Sequence, residues 1–190
     1  MKSRTWTLAA VAAAAVAAAS VWACASTKAD PTALAIIESK SGSKVAGKAI
    51  FTQLPSGQTR VEVTISGATP GSHSLHIHEK GDCSAPDATS AGGHFNAAGN
   101  PHAAPTDAKR HNGDLGNIVI GSDGKGSLTI TTDMLTVTDG PNSVVGKSVI
   151  FHEKADDMTT QPTGAAGARY GCGVVAYTPT GNANAQKVYK

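Results

Sequence analysis

The 190-residue sequence has little net charge, and this bears first on what the protein binds. Sixteen lysines and arginines are set against fourteen acidic residues, which leaves a formal net charge of +2 at pH 7. A chain that binds nucleic acid through bulk charge carries a much larger basic excess. The composition therefore gives no support for a nucleic-acid partner.

The sequence also lacks a strongly apolar run of the length needed to span a bilayer, which is about 20 residues. Its extended apolar stretch at 6–21 is mostly alanine and follows Lys2 and Arg4. A basic start, an apolar run and small residues at 23–25 form the secretory pattern. We therefore predict a signal peptide over 1–25, export of the protein, and a mature chain without a transmembrane span.

The cleavage site has two interpretations with different consequences. Ala23-Cys24-Ala25 fits an A-x-A site, and cleavage there would discard Cys24. Residues 21–24 instead resemble a bacterial lipobox, in which Cys24 becomes the lipidated first residue and anchors the protein to the membrane. The sequence leaves both alternatives open.

Cysteine is scarce, since only Cys83 and Cys172 remain after the predicted signal peptide. Two cysteines in an exported domain suggest one disulfide. That bond would close a loop of about 90 residues and contribute up to about 4–5 kcal/mol by the chain-entropy model. Taken alone, such a bridge is most simply a cross-link that stabilises the fold and has no further function.

No segment shows a convincing helical pattern. After a linker at 26–32, short stretches carry β-branched residues with period-two alternation, bounded by glycine, proline or Asp-Gly. We predict eight strands, at 33–39, 44–54, 58–66, 72–79, 115–121, 126–132, 146–152 and 170–178. They indicate one all-β sandwich or barrel over 33–178, followed by a polar, loosely ordered tail at 179–190.

Two long connections interrupt the regular spacing of the predicted strands. Residues 80–113 and 153–169 have little strand pattern, and both contain histidine, aspartate or arginine. Structureless loops longer than about 12–15 residues in a compact domain are usually functional or disordered. We therefore interpret both as functional loops.

Two histidines lie two positions apart inside a predicted strand. His76 and His78 share one face of that strand, and Leu75 and Ile77 share the other. The apolar pair would face the core, which leaves both imidazoles on the outer face. They are either surface residues or ligands, and an HxH pair alone is a weak signal for a metal.

The first long loop adds a set of metal-binding side chains, His94, His102, His111 and Asp114. Three imidazoles and one carboxylate make a closed four-ligand set for zinc. Imidazole also suits copper, and His76, His78 and His152 supply three further nitrogens. Each loop histidine taken singly is most simply a solvent-exposed residue, but the whole set predicts two neighbouring metal sites.

Five motifs, in order along the chain, carry a resemblance to a known family. They are HIHEKGDC at 76–83, SAGGHFN at 90–96, HNGDLGN at 111–117, FHEKADD at 151–157 and GARYGCGVVA at 167–176. With them the sequence resembles the copper–zinc superoxide dismutases, in their bacterial exported form, from about residue 45 to 177. The resemblance implies an eight-stranded, immunoglobulin-like Greek-key barrel or sandwich, a periplasmic location, superoxide as substrate, one copper and one zinc ion per subunit, and a monomer or homodimer.

The resemblance also implies a role for each site residue. The copper ligands would be His76, His78, His94 and His152, and the zinc ligands would be His94, His102, His111 and Asp114. His94 would bridge the two metals and act in catalysis with Arg169, which would hold the anionic substrate. Asp156 would link a copper histidine to a zinc histidine. Cys83 and Cys172 match the family disulfide, and His73 matches a structural histidine.

The sequence departs from the family pattern at several positions. Ser74 and Leu75 stand where the family has Gly-Phe, and Ala165 stands where it has asparagine. Residues 158–161 replace a Glu-Glu-Lys cluster common in eukaryotic members. We expect local repacking without loss of metal. We also expect steering of the anion by cations of the first loop, Lys80, Lys109 and Arg110.

Three alternatives to the enzyme use the same residues differently. A non-enzymatic copper- and zinc-binding protein on this fold, metallochaperone-like or a copper buffer, commonly lacks a copper ligand or the arginine, and both are present here. A zinc-only hydrolase needs an open zinc position and a general base, but His94, His102, His111 and Asp114 would fill all four zinc positions. A structural β-sandwich with incidental histidines would take up neither metal.

Overall fold

The computed structural model describes residues 30–178, and within that range the regular secondary structure is β-strand apart from one short 3-10 turn. The strands are β1 (Thr32–Ser39), β2 (Ala46–Gln53), β3 (Thr59–Ser66), β4 (Gly71–His78), β5 (Asp114–Ile120), β6 (Gly126–Thr132), β7 (Ser148–His152), β8 (Arg169–Val174) and β9 (Ala176–Thr178). A single short 3-10 turn at Thr89–Ala91 lies in the connection between β4 and β5.

The alternation of the sequence explains the strands. In β3, Val61, Val63 and Ile65 are buried, whereas the alternate residues Arg60 and Thr64 are exposed and Glu62 is half-buried. Branched apolar side chains on one face of a pleated strand pack well against the facing strands. Their burial supplies the core of the barrel, which every strand with this pattern shares.

The strands form two antiparallel halves that join into a nearly closed barrel. One half has the order β1-β2-β3-β6 and the other has the order β5-β4-β7-β8. The end of β1 pairs with β8 through Glu38 and Cys172, and this pairing connects the two halves. At the other side a tight turn joins β5 to β6, where Gly121 N–H donates to the Lys125 carbonyl at 2.8 Å. The predicted all-β, eight-stranded barrel is confirmed.

The last predicted strand is divided at Val175. Residues before it pair with β7, whereas β9 pairs with the first residues of β1. Val175 itself is buried and donates to the Lys147 carbonyl at 2.9 Å. The predicted strand at 170–178 therefore serves both halves of the barrel as two short elements.

A third long connection, 133–147, was not singled out by the sequence pattern. It is anchored in the core by Leu135, Val137 and Val144, which are fully or almost fully buried. Their spacing follows neither a helical nor a strand period, so the sequence gave no signal for this anchor. The strand predicted from residue 146 accordingly begins only at Ser148.

Several predictions concern the ends of the chain. The predicted signal peptide, Cys24 and the polar tail lie outside the described residues. The predicted linker ends inside β1, which begins at Thr32. Among residues 30–178, no helix is both long and apolar enough to cross a membrane.

Candidate metal centre

The candidate site lies against β4 and β7, on the outer face of the barrel. His76 pairs with Ile150 across these strands and His78 pairs with Ser148, while His152 ends β7. Leu75 points into the core, as predicted for the alternate face. His76 and His78 are nevertheless 0% exposed, because the long loops cover this face of the barrel.

The first loop returns beside β4 and places His94 next to His78. Phe95 N–H donates to the Ile77 carbonyl at 2.8 Å, and the Phe95 side chain is buried in the core. Gly113 N–H donates to the Phe95 carbonyl at 2.9 Å, and Ile77 N–H donates to the Gly113 carbonyl at 2.9 Å. A Cβ at position 113 would overlap the Ile77 carbonyl. This local sheet therefore positions His94 through its backbone.

Four imidazoles converge in one buried cluster, named here the four-histidine cluster: His76, His78, His94 and His152. The ring nitrogens that they offer lie within 4.8 Å of one another. His76 Nδ1 and the Nε2 atoms of His78, His94 and His152 are buried without a hydrogen-bonding partner among residues 30–178. Buried polar atoms without partners are costly, and a metal that accepts four nitrogen lone pairs would satisfy all of them.

Burial also keeps His76, His78 and His152 in the form that binds metal. It lowers the pKa of His152 to about 3, and the charge of His94 acts in the same direction. Burial likewise lowers the pKa of His76 and of His78 well below the ordinary histidine value. Neutral imidazole is the ligand form, so these three side chains can bind a cation near neutral pH.

A second cluster is centred on the carboxylate of Asp114, named here the Asp114 cluster. Asp114 Oδ1 lies 3.0 Å from His94 Nδ1, 3.0 Å from His102 Nδ1 and 3.3 Å from His111 Nδ1. The Nδ1 atoms of His94 and His111 are 3.3 Å apart. Ligands about 2.0–2.1 Å from a tetrahedral zinc ion lie about 3.3–3.4 Å from one another. The donor set and its spacing therefore fit zinc.

Proximity alone also groups His76 with His94, His102 and Asp114. We assign His111 to the Asp114 cluster instead, because its Nδ1 is 3.3 Å from Asp114 Oδ1. The Nε2 of His76 is already occupied by the Asp156 carboxylate at 2.7 Å, and its Nδ1 is an unpartnered atom of the four-histidine cluster.

Charge within the Asp114 cluster shifts its titration. Burial raises the pKa of Asp114, but the hydrogen bond from His94 and the charge of His102 outweigh this, and the net shift is downward. Burial lowers the pKa of His111. Burial also lowers the pKa of His102, but the Asp156 and Asp114 carboxylates outweigh this, and the net shift is upward. The cluster thus holds an ionised carboxylate, and His102 must be in its neutral form to bind a dication.

Asp156 connects the two clusters. Its Oδ2 lies 2.7 Å from His76 Nε2, and its Oδ1 lies 2.9 Å from His102 Nε2. Its backbone is held by Asn117, which accepts from Asp156 N–H at 2.8 Å and donates to the Asp156 carbonyl at 3.0 Å. Gly164 packs against this carboxylate at φ +66, and a Cβ there would overlap it. A single buried carboxylate can therefore orient one imidazole of each cluster.

Arg169 is half-buried and aimed by two backbone carbonyls. Its Nη1 donates to the Ala88 carbonyl at 2.7 Å, and its Nη2 donates to the Gly92 carbonyl at 2.8 Å. The Gly92 carbonyl also accepts from His78 Nδ1 at 2.9 Å. Burial is the main cause of the low pKa of His78, and the Arg169 charge lowers it further. The guanidinium therefore acts electrostatically on the four-histidine cluster.

The predicted disulfide between Cys83 and Cys172 is confirmed, with the two Cα atoms 5.8 Å apart. It joins the first loop to β8, the strand that begins with Arg169. The Lys40 ammonium donates to the Cys83 carbonyl. The segment that supplies both carbonyl partners of Arg169 is thus fastened close to the arginine itself.

The predicted steering cations lie in different settings. Lys80 and Lys109 are exposed. Arg110 is partly buried, and its guanidinium donates to the Asp107 carbonyl at 2.6 Å and to Thr132 Oγ1 at 3.3 Å. Arg110 therefore has a local structural contact in addition to its charge.

The structural histidine His73 and the two departures from the family pattern that follow it also have defined positions. The ring nitrogens of His73 face the carbonyls of His152 at 3.0 Å and Thr69 at 2.9 Å, so His73 is outside both clusters. Ser74 and Leu75 are both fully buried, and the Ser74 hydroxyl has no hydrogen-bonding partner among residues 30–178. Nothing in the structure explains a serine at this position.

Sequence reasoning missed the contribution of backbone groups. The carbonyls of Ala88 and Gly92 aim Arg169, yet a carbonyl has no residue-type signature. The glycine at 92 marks a close approach of this segment to its neighbours, because a Cβ there would crowd the Glu79 carboxylate. It was the available sequence signal that the backbone of this segment is held in a fixed position.

Comparison with known proteins agrees with this geometry. The family model described as "Copper/zinc superoxide dismutase (SODC)" matches residues 45–175. Among solved structures, the crystal structure of the clock protein EA4 is similar, with a TM-score of 0.71 and 35% sequence identity. The match covers 78% of this chain and 96% of that one. The chain therefore belongs to the copper/zinc superoxide dismutase family.

Proposed function

We propose that the protein is a superoxide dismutase that converts two superoxide anions and two protons to oxygen and hydrogen peroxide. The observation that carries the proposal is the shared imidazole of His94. Its Nδ1 lies in the Asp114 cluster, while its Nε2 is an unpartnered buried atom of the four-histidine cluster. One side chain can thus connect two cation sites of different donor composition.

The donor sets support one copper and one zinc ion per subunit. His76, His78, His94 and His152 would hold copper, because an all-imidazole set suits that metal. His94, His102, His111 and Asp114 would hold zinc. Bound copper would supply one-electron redox chemistry, and bound zinc would supply fixed positive charge beside the shared imidazole.

The protein's own groups would bind the substrate and handle protons. Arg169 presents a permanently charged guanidinium next to the four-histidine cluster, which favours a small anion there. His94 Nε2 is the ring atom that could hold a proton and deliver it to the reduced substrate. Lys80, Lys109 and Arg110 would raise the local concentration of anion, and neutralising all three should flatten the salt dependence of the rate.

We propose further that the protein is exported and works in the periplasm. The basic and alanine-rich start of the chain supports this, as does a disulfide, which persists in oxidising compartments. The mass of the mature N-terminus would distinguish ordinary cleavage from lipidation of Cys24. Sedimentation would distinguish a monomer from a homodimer.

The decisive experiment is superoxide decay catalysed by the purified, oxidised protein loaded with copper and zinc. We expect fast, copper-dependent decay that falls at least about 10-fold in Arg169→Ala, because the anion loses its charged partner. Arg60→Ala is the matched control, since Arg60 is an exposed arginine paired with Glu62 on β3. That control should leave the rate unchanged.

The same experiment separates the enzyme from the non-enzymatic alternative. Both metals bound with no catalysis would indicate a metallochaperone-like protein or a copper buffer. Negligible uptake of either metal would remove the proposed function altogether.

A further inference from the structure

His102 is the member of the Asp114 cluster that the barrel supports least directly. Asp114 begins β5, and His94 lies in the local sheet beside β4. His111 is three residues from Asp114, whose Oδ2 accepts the His111 N–H at 3.0 Å. His102 instead lies within the irregular stretch 97–110, which contains no strand. The backbone contact of this stretch with β5 is the N–H of the next residue, Ala103, which donates to Asp114 Oδ2 at 3.2 Å.

The backbone of His102 is held by one side chain from the other functional loop. Gln161 Oε1 accepts the His102 N–H at 2.8 Å, and Gln161 Nε2 donates to the His102 carbonyl at 2.7 Å. One primary amide thus satisfies both backbone groups of the same residue. The two partners also fix which end of the amide carries the oxygen, because one of them donates and the other accepts.

The loop around Gln161 is itself held by internal hydrogen bonds. The Asp157 carboxylate accepts the N–H groups of Thr159 at 3.0 Å and Thr160 at 2.8 Å. Gly164 N–H donates to the Thr160 carbonyl at 2.7 Å, and Asp157 N–H donates to the Gly164 carbonyl at 3.0 Å. Gln161 therefore projects from a closed turn and has little freedom to follow a displaced His102.

The second loop consequently hydrogen-bonds both the ring and the backbone of His102. Asp156 Oδ1 contacts the ring Nε2 at 2.9 Å, and Gln161 holds the backbone. A ring oriented at one end and a main chain fixed at the other leave Nδ1 directed at Asp114 Oδ1, 3.0 Å away. A ligand held in place before the cation arrives binds with less loss of conformational freedom.

We propose that Gln161 is a positioning residue for zinc, which sets how tightly the Asp114 cluster holds the ion by fixing the backbone of His102. The proposal rests on the proposed function in one respect, that this cluster binds zinc. The sequence offered no signal for it, since a glutamine before a proline in a polar loop has no characteristic chemistry.

The test is zinc release from the fully loaded protein to a chromogenic chelator. Gln161→Ala should release zinc about 10-fold faster than the unchanged protein, as expected when a group that orients a ligand is removed. Gln161→Glu retains an acceptor for the His102 N–H but places a carboxylate against the carbonyl, so it should also release zinc faster. Zinc release within twofold of the unchanged protein in both variants would overturn the proposal.

Gln53→Ala is the matched control. Gln53 Oε1 accepts the Val137 N–H at 2.8 Å and its Nε2 donates to the Gly57 carbonyl at 2.9 Å. It thus makes the same kind of backbone contact at a connection outside both clusters. Equal acceleration of zinc release by this variant would assign the effect to general loosening and would overturn the specific role.

Two further readouts separate positioning from simple stabilisation. Cobalt placed in the zinc position should show an altered visible spectrum in Gln161→Ala, and the melting temperature should fall more in the zinc-loaded protein than in the metal-free one. An unchanged spectrum with equal losses of melting temperature would contradict the role.

Amide exchange in the unchanged protein needs no variant and remains informative if the variants do not fold. The His102 N–H should be protected, and exchange at the open-chain rate would count against the contact. If the unchanged protein binds no zinc at all, the proposed function fails. If it binds zinc with unchanged release in the variants, only the role of Gln161 fails.

Discussion

Removal of the Cys83–Cys172 disulfide should have a large and calculable effect on stability. The two residues are 89 positions apart, and a closed loop of that length removes about 4–5 kcal/mol of chain entropy from the unfolded state. The perturbation is the double variant Cys83→Ala and Cys172→Ala, since alanine avoids placing a hydroxyl in the buried position of Cys172. The metal-free protein isolates the effect from metal binding.

The assay is urea unfolding of the metal-free protein, with and without the disulfide. The free energy of unfolding should fall by up to about 4–5 kcal/mol. The free energy of unfolding should also depend more steeply on urea concentration in the variant, because the cross-link compacts the unfolded state and its removal exposes more surface on unfolding. A loss below about 1 kcal/mol with an unchanged slope would refute the loop-entropy reasoning.

The disulfide also has a local consequence for the site. Cys83 fastens the segment that contains the carbonyls of Ala88 and Gly92, and both of these orient Arg169. The metal-loaded double variant should therefore lose superoxide dismutation more than it loses bound metal. Full activity in that variant would show that the guanidinium holds its position without the bond.

Three other changes test separate parts of the structure. Asp156→Asn leaves one acceptor oxygen where His76 and His102 need two, and its amide nitrogen can only donate. Chelators should therefore remove zinc about 10–100-fold faster; an unchanged rate would contradict the bridging role. Ala165 has φ +53, so Ala165→Gly should raise the free energy of unfolding by about 0.5–1 kcal/mol, and a lower melting temperature would contradict this. The pKa of His152 is about 3 in the folded protein, below its unfolded value. As the pH falls from about 6.5 to 3, His152 alone should therefore lower the free energy of unfolding of the metal-free protein by up to about 1.4 kcal/mol per pH unit, and the lowered pKa values of His76 and His78 should add to this loss. A flat profile would refute this.

Much of the fold was predictable because it depends on local patterning. Alternating apolar residues such as Val61, Val63 and Ile65 mark a strand with one buried face, and the tertiary structure places them there. The division of the last strand at Val175 was not predictable, because it arises from pairing with two different partners. The connection anchored by Leu135 was missed for a similar reason, since its apolar residues follow no period.

The candidate site shows the same contrast. The sequence by itself determined the inventory of imidazoles and carboxylates and the alternation that puts His76 and His78 on one face of β4. Only the tertiary structure decided that this face is buried, and that His94 presents one nitrogen to each cluster. It also decided that the carbonyls of Ala88 and Gly92 aim Arg169. The physical reason is that ligand chemistry belongs to side chains, whereas burial and orientation come from backbone contacts between segments far apart in the chain.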